Sequence, residues 1–129
     1  IKATFPEHEF EDFGTHSVDS IDYPDTGAPA AQAVAAGKAE SGILICGSGI
    51  GMSITANKVR GIRAALCTNT DLARLSRIHN DANVLCLAGR FTAVPYALEI
   101  VNNWLNSAFE GGRHQNRIEK IKLLEGDKR

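Results

Sequence analysis

The sequence predicts an α/β fold: a doubly wound parallel sheet covered by helices on both faces, a three-layer sandwich in one domain over residues 1–129. Three observations carry that expectation. Short apolar runs alternate with segments of helical period along the chain. The runs at 43–46 and 84–88 are apolar without alternation, as strands buried on both faces are. The first run closes on Cys46 and passes at once into Gly47-Ser48-Gly49-Ile50-Gly51, a glycine turn before a helix. Strand, glycine turn, helix is how a parallel sheet builds an anion-binding site.

The elements follow in order. Residues 9–13 read as a short strand ending at Gly14. Asp22-Tyr23-Pro24-Asp25 reads as a turn, and Tyr23 is a candidate pocket residue. Residues 25–40 read as a helix, with alanines and Val34 on one face. Residues 43–46 form a strand and 54–58 a helix. Residues 62–67 form the next strand. Asn69 or Thr70 caps a helix that runs to Ile78. After the strand at 84–88, Pro95 opens a long helix through Leu98, Val101 and Leu105. Trp104 lies on its apolar face, so it belongs to the core or an interface. Gly111-Gly112 then precedes a last helix over 113–124, and residues 126–129 read as a solvated tail.

Composition narrows the function. The 129 residues carry 14 basic and 15 acidic side chains, a net charge of -1. That balance gives the whole molecule no electrostatic partner in nucleic acid or an acidic membrane. No apolar run approaches the roughly 20 residues of a membrane span. The start shows no signal-peptide pattern and no initiating Met, so the natural N-terminus is expected upstream of Ile1. The 3 cysteines have no framework or metal-ligand spacing. This suits a reduced, cytoplasmic compartment.

Cys46 is the first chemical candidate. Ligands of open parallel sheets bind beyond the carboxyl ends of the strands, and Cys46 ends one. A thiol beside a helix N-terminus ionises more readily and serves as base or nucleophile. The same segment also reads as a buried cysteine before a turn that merely needs glycine. Cys67 and Cys86 read as small core residues. The turn is neither a Walker loop, which needs Gly-Lys-Ser/Thr, nor a dinucleotide fingerprint, whose third glycine is replaced by Met52. It suits a small oxyanion or phosphate.

Two further clusters stand out. His79-Asn80-Asp81-Ala82-Asn83 lies between a helix and a strand, in a loop that opens on one edge of the sheet. A loop histidine exchanges protons near neutral pH, although Asn and Asp also favour such turns for backbone reasons. Arg113 and Arg117 are four apart at the start of a helix, where cations oppose the helix dipole. Two guanidiniums there make a phosphate grip. Arg90, just after Gly89, is either a third positive group or an ordinary surface arginine. His8 and His16 have no partner pattern and read as structural or exposed.

Together these segments resemble the type B ribose-5-phosphate isomerases, in the family that also holds galactose-6-phosphate isomerase. The resemblance lies in Asp22-Tyr23-Pro24, residues 42–58, Gly61-Ile62-Arg63-Ala64, residues 79–85, and residues 110–114 through Arg117. These stretches span nearly the whole chain in order. The resemblance implies a Rossmann-like sheet and an aldose–ketose isomerase that interconverts ribose 5-phosphate and ribulose 5-phosphate in the pentose phosphate pathway. Cys46 matches the base that moves a proton between C1 and C2. Gly47, Ser48, Gly49, Ile50 and Gly51 match the segment that binds the reacting end. His79 matches the group that opens the furanose ring, and Asn80 and Arg90 match substrate contacts. Arg113 and Arg117 match the phosphate-binding arginines. No metal and no organic cofactor is implied. Dimers or tetramers are, with sites at the subunit interface.

Some family members place a glutamate base shortly after the glycine turn. Met52 stands in that region here, so the chain resembles the cysteine-using branch. The family also begins with a strand and an Asp-His pair, and this chain starts at Ile1, past both. The expectation is therefore a sheet short of the family's first strand. Three other readings stand beside the isomerase of five-carbon sugars: a galactose-6-phosphate isomerase, a non-catalytic sugar-phosphate-binding module, and a hydrolase with Cys46 as nucleophile and His79 as its base.

Overall fold

The protein is described by a computed structural model, which covers residues 1–15, 17 and 19–126. Readings that fall on His16 and on residues 127–129 lie outside the described residues. Among those described, three strands form one parallel sheet in the order β1-β3-β2. The strands are β1 (Gly42–Cys46), β2 (Ala64–Leu66) and β3 (Val84–Ala88). The helices are α1 (Pro24–Ala35), α2 (Ile50–Asn57), α3 (Thr70–Ile78), α4 (Val94–Leu105) and α5 (Arg113–Gly126).

The central strand, β3, explains the layers. Val84 and Cys86 face one core with Ala31, Val34, Leu44, Met52, Ala56 and Ile62, under α1 and α2. Leu85 and Leu87 face the other with Phe5, Cys67, Ala73, Ile100, Val101 and Trp104, under α3 and α4. Alternate residues of a strand point to opposite faces, so a wholly apolar β3 serves both cores. Each buried Val or Leu contributes about 1.5–3 kcal/mol. The three-layer, doubly wound sandwich is thus the observed fold. Its winding follows from handedness. The chain steps from β1 across to β2, then back to β3, and right-handed crossovers put α2 and α3 on opposite faces.

Several boundaries differ from expectation. Residues 9–13 form no strand. Phe10 and Phe13 are three apart and do not share a strand face. Only Phe10 packs on the α3–α4 core, and the Gly14 N–H turns back onto Asp12 Oδ1 at 2.8 Å. Helix α1 stops at Ala35 because Gly37 adopts φ 76. The N–H of Gly37 then reaches Val34 O at 3.1 Å and that of Lys38 reaches Ala33 O at 2.9 Å, a Schellman end. Helix α2 begins at Ile50 rather than 54, since Gly49 caps it at φ 77. Strand β2 is short because side chains take over the adjoining backbone: Asn83 Oδ1 accepts the Arg63 N–H at 2.8 Å, and Asn83 Nδ2 donates to Gly61 O at 2.9 Å. As expected, Asn69 caps α3, its Oδ1 accepting the Leu72 N–H at 2.8 Å.

Candidate active site

At the carboxyl edge of the sheet, α2 leaves β1 toward one face and α4 leaves β3 toward the other. The crevice between the ends of β1 and β3 is therefore a topological switch point, where open α/β sheets bind ligands. Cys46 sits there, half-buried, paired in register with Ala88. The Gly89 N–H donates to Cys46 O at 2.8 Å, and the Arg90 N–H donates to Gly47 O at 3.0 Å.

The glycines have separate reasons. Gly49 is buried at positive φ, and a Cβ there would strike Leu66 and the backbone of Leu87. A Cβ at Gly47 would press on the Arg90 side chain, which lies against it, and one at Gly51 would strike the Tyr23 ring. Ser48 Oγ accepts the Ile50 N–H at 3.2 Å. The first N–H groups of α2 have no acceptor within the helix, and the dipole adds positive charge at the same point. Cys46, Gly47, Ser48, Gly49, Ile50, Gly51, Arg90 and Tyr23 thus share this edge. Met52 turns inward, 6% exposed, against Gly27.

The other two cysteines are core residues, as expected. Burial pushes the Cys86 thiol up to about 12, with Cys46 and Cys67 adding to the rise. Burial also pushes Cys67 up, against a hydrogen bond from Ser76. Neither is a base near neutral pH.

The remaining candidates lie at the amino edge. His79 caps α3, its N–H donating to Leu75 O at 2.9 Å, and Asn80 follows in the exposed turn. Asp81 adopts φ 46 and is held from two sides. Arg77 Nη1 donates to Asp81 Oδ1 at 3.0 Å and Arg63 Nη2 lies 3.4 Å from Asp81 Oδ2. Arg63 Nε also donates to Asn80 O at 3.1 Å. Asp81 and Asn83 are therefore occupied by the fold, which leaves His79 and Asn80 for chemistry.

Helix α5 lies beside this turn. The Glu110 N–H donates to Ile78 O at 3.1 Å, and Gly111 and Gly112 adopt φ 74 and 59 before Arg113. Arg113 and Arg117 are exposed, one turn apart. Between them His114 is buried and stacks on His79, ring centroids 4.4 Å apart. Burial, His79 and the two arginines lower the His114 pKa, and Glu110 opposes them.

The candidates of one chain therefore fall into two groups, two candidate half-sites. The thiol, glycine turn and Arg90 lie at one end of the strands, and His79, Asn80, Arg113 and Arg117 at the other. A five-residue strand spans about 16 Å, more than a pentose phosphate bridges. Arg90 is accordingly separated from the Arg113–Arg117 pair. A cavity of about 850 Å³ beside the outer edge of β1 touches neither half: Phe10, Phe13, Val34, Ile43 and Ile45 line it, and Cys46 and His79 do not.

Comparison with known proteins identifies the family. The sequence pattern of the Ribose/Galactose Isomerase family matches residues 1–121. This chain belongs to that family. Ribose-5-phosphate isomerase B of Escherichia coli is 49% identical over 117 residues, which are 91% of this chain and 78% of that protein. The ribose-5-phosphate isomerase B structure from Clostridium thermocellum superposes with a TM-score of 0.94 at 51% identity, covering 97% of this chain and 84% of the other. The Mycoplasma genitalium isomerase B, solved with bound ribulose-5-phosphate, gives a TM-score of 0.92 at 41% identity, covering 97% and 84%. His114, buried against His79, is the residue of this edge that the sequence pattern did not single out. It stands four residues before Ile118, the other buried residue of α5, and that spacing was the available signal.

Proposed function

We propose that this protein interconverts ribose 5-phosphate and ribulose 5-phosphate through an enediolate, as a step of the pentose phosphate pathway. One observation carries the reading: a half-buried thiol ends a strand at the switch point, beside a glycine turn that opens a helix. Isomerisation requires a base that takes a proton from C2 and returns it to C1, and donors for the oxyanion that forms between. Cys46 is the base. N–H groups along residues 47–51 hold the oxyanion, with Ser48 and Ile50 against the reacting end. His79 exchanges the proton that opens the furanose ring, Asn80 holds the sugar beside it, and Arg90 reaches it from the thiol's side. Arg113 and Arg117 take the phosphate dianion.

Because the two half-sites lie at opposite edges, each working site forms between two copies, the thiol edge of one facing the imidazole edge of the other. A two-fold arrangement makes that match twice. Exposed apolar pairs at both edges support it: Ile50 and Ile54 are four apart on α2, and Ile121 and Leu124 are three apart on α5. A homodimer is the smallest such assembly, and a homotetramer contains two. The separation counts against a hydrolase in which Cys46 and His79 act within one chain, since a nucleophile and its base need hydrogen-bond reach. Three free thiols, two of them buried, suit a reducing compartment.

A coupled assay with ribose 5-phosphate, run in deuterated water, tests the reading. The expected result is turnover with deuterium at C1 of the ribulose 5-phosphate formed. Binding without turnover makes the protein a sugar-phosphate-binding module, and faster turnover of galactose 6-phosphate moves it to the six-carbon branch.

A further inference from the structure

His79 and His114 come from different elements. His79 caps α3, and His114 lies in the first turn of α5. Their rings are stacked, 4.4 Å between centroids and 24° between planes. His114 is 5% exposed, whereas His79 is half-buried.

We propose that His114 is a positioning residue, whose buried ring fixes the plane of the His79 imidazole so that the same nitrogen meets the ring oxygen of the furanose in every turnover. The inference rests on the ring-opening role given to His79. A half-buried imidazole at a helix end keeps two side-chain rotors, and a stack removes that freedom before substrate arrives. Two imidazolium rings at this distance repel one another, so the stack disfavours positive charge on both rings at once. The charged groups facing His114 are His79 from α3, Arg113 and Arg117 from α5, and Glu110 from the loop before α5. Burial and these cationic neighbours, against one carboxylate, favour the neutral form of His114, so the stack places no added charge beside His79.

The test compares two reactions. Turnover of ribose 5-phosphate includes ring opening. Exchange of the C1 hydrogen of ribulose 5-phosphate with solvent does not, since that ketose has no free hydroxyl to close a furanose. His114→Ala is expected to lower kcat on ribose 5-phosphate about tenfold with KM nearly unchanged, and to leave the exchange rate alone. His114→Phe, which keeps an aromatic ring, is expected to restore most of the loss. Equal slowing of both reactions, or no slowing of the first, overturns the proposal. His79→Asn separates this from the underlying reading: if it retains full activity on ribose 5-phosphate, the role of His79 itself fails. Should the His114 variants not fold, imidazole proton NMR of the unaltered protein decides. The His79 ring is expected to hold one orientation against His114, and averaging between orientations overturns the proposal.

Discussion

Cys46 closes β1 at the carboxyl edge of the sheet, and His79 precedes β3 at the amino edge, so the length of a five-residue strand lies between them in one chain. In the proposed function neither half-site is complete: the thiol has amides and Arg90 beside it but lacks the phosphate-binding pair, the imidazole has the arginine pair but lacks a base for C2, and a second copy supplies each half with the other.

Replacing Cys46 separates chemistry from binding. Cys46→Ala removes the proposed base and leaves the glycine turn and both arginines in place. Turnover of ribose 5-phosphate is expected to fall about 10²–10⁴-fold, while the Kd measured by calorimetry stays within about threefold. Full activity would remove the thiol from the mechanism.

Gly49 tests the backbone of the turn. Its φ of 77 and the closeness of Leu66 and the Leu87 carbonyl leave no room for a side chain. Gly49→Ala is expected to cost about 2–4 kcal/mol in urea denaturation, from backbone strain and overpacking together. A loss below about 0.5 kcal/mol would mean that the turn relaxes freely.

Arg77 holds the loop of His79 from behind. Besides Asp81, it donates to Ala82 O at 2.6 Å and Ser107 O at 3.2 Å, and it lies 5.7 Å from the centre of the Trp104 ring. Arg77→Met keeps the length of the side chain and strands those acceptors. A stability loss of about 2–3 kcal/mol is expected, with slower turnover of ribose 5-phosphate as the His79–Asn80 turn loosens.

The core thiols set an alkaline limit. Cys86 titrates near 9.0 when unfolded and is raised to about 12 in the fold. Above pH 9.0 the unfolded chain therefore binds fewer protons than the native one. The stability this group contributes is full below pH 9.0 and is lost as pH rises toward 12. Urea midpoints measured on either side of pH 9.0 are expected to fall less in Cys86→Val than in the unaltered protein. Parallel falls in both would place the loss elsewhere.

Much of this was legible in the sequence, and the failures have physical causes. The runs at 43–46 and 84–88 could be read because strands buried on both faces have no polar face. The cap at Asn69 could be read because its side chain bonds locally. The end of α1 and the start of α2 were misjudged because both depend on a glycine at positive φ, which composition alone does not reveal. Residues 9–13 form no strand, since Phe10 and Phe13, three apart, would fall on opposite faces of one. Cys46, Arg90 and the glycine turn do gather at one edge, as the strand-end rule suggests. The distance from Cys46 to His79 follows from the same rule, since a helix-to-strand loop opens at the amino edge of a parallel sheet. The stack of His79 on His114 joins elements more than 30 residues apart, and no local pattern carries it.

Mixing two inactive variants tests the shared site most directly. Cys46→Ala and His79→Asn are unfolded together, refolded and assayed on ribose 5-phosphate. In a two-chain site, each mixed dimer has one site that takes its thiol and its imidazole from the unaltered positions of opposite chains. Random pairing makes half the dimers mixed, so about a quarter of unaltered activity is expected to return. A mixture as inactive as its parents would contradict a site shared between two copies.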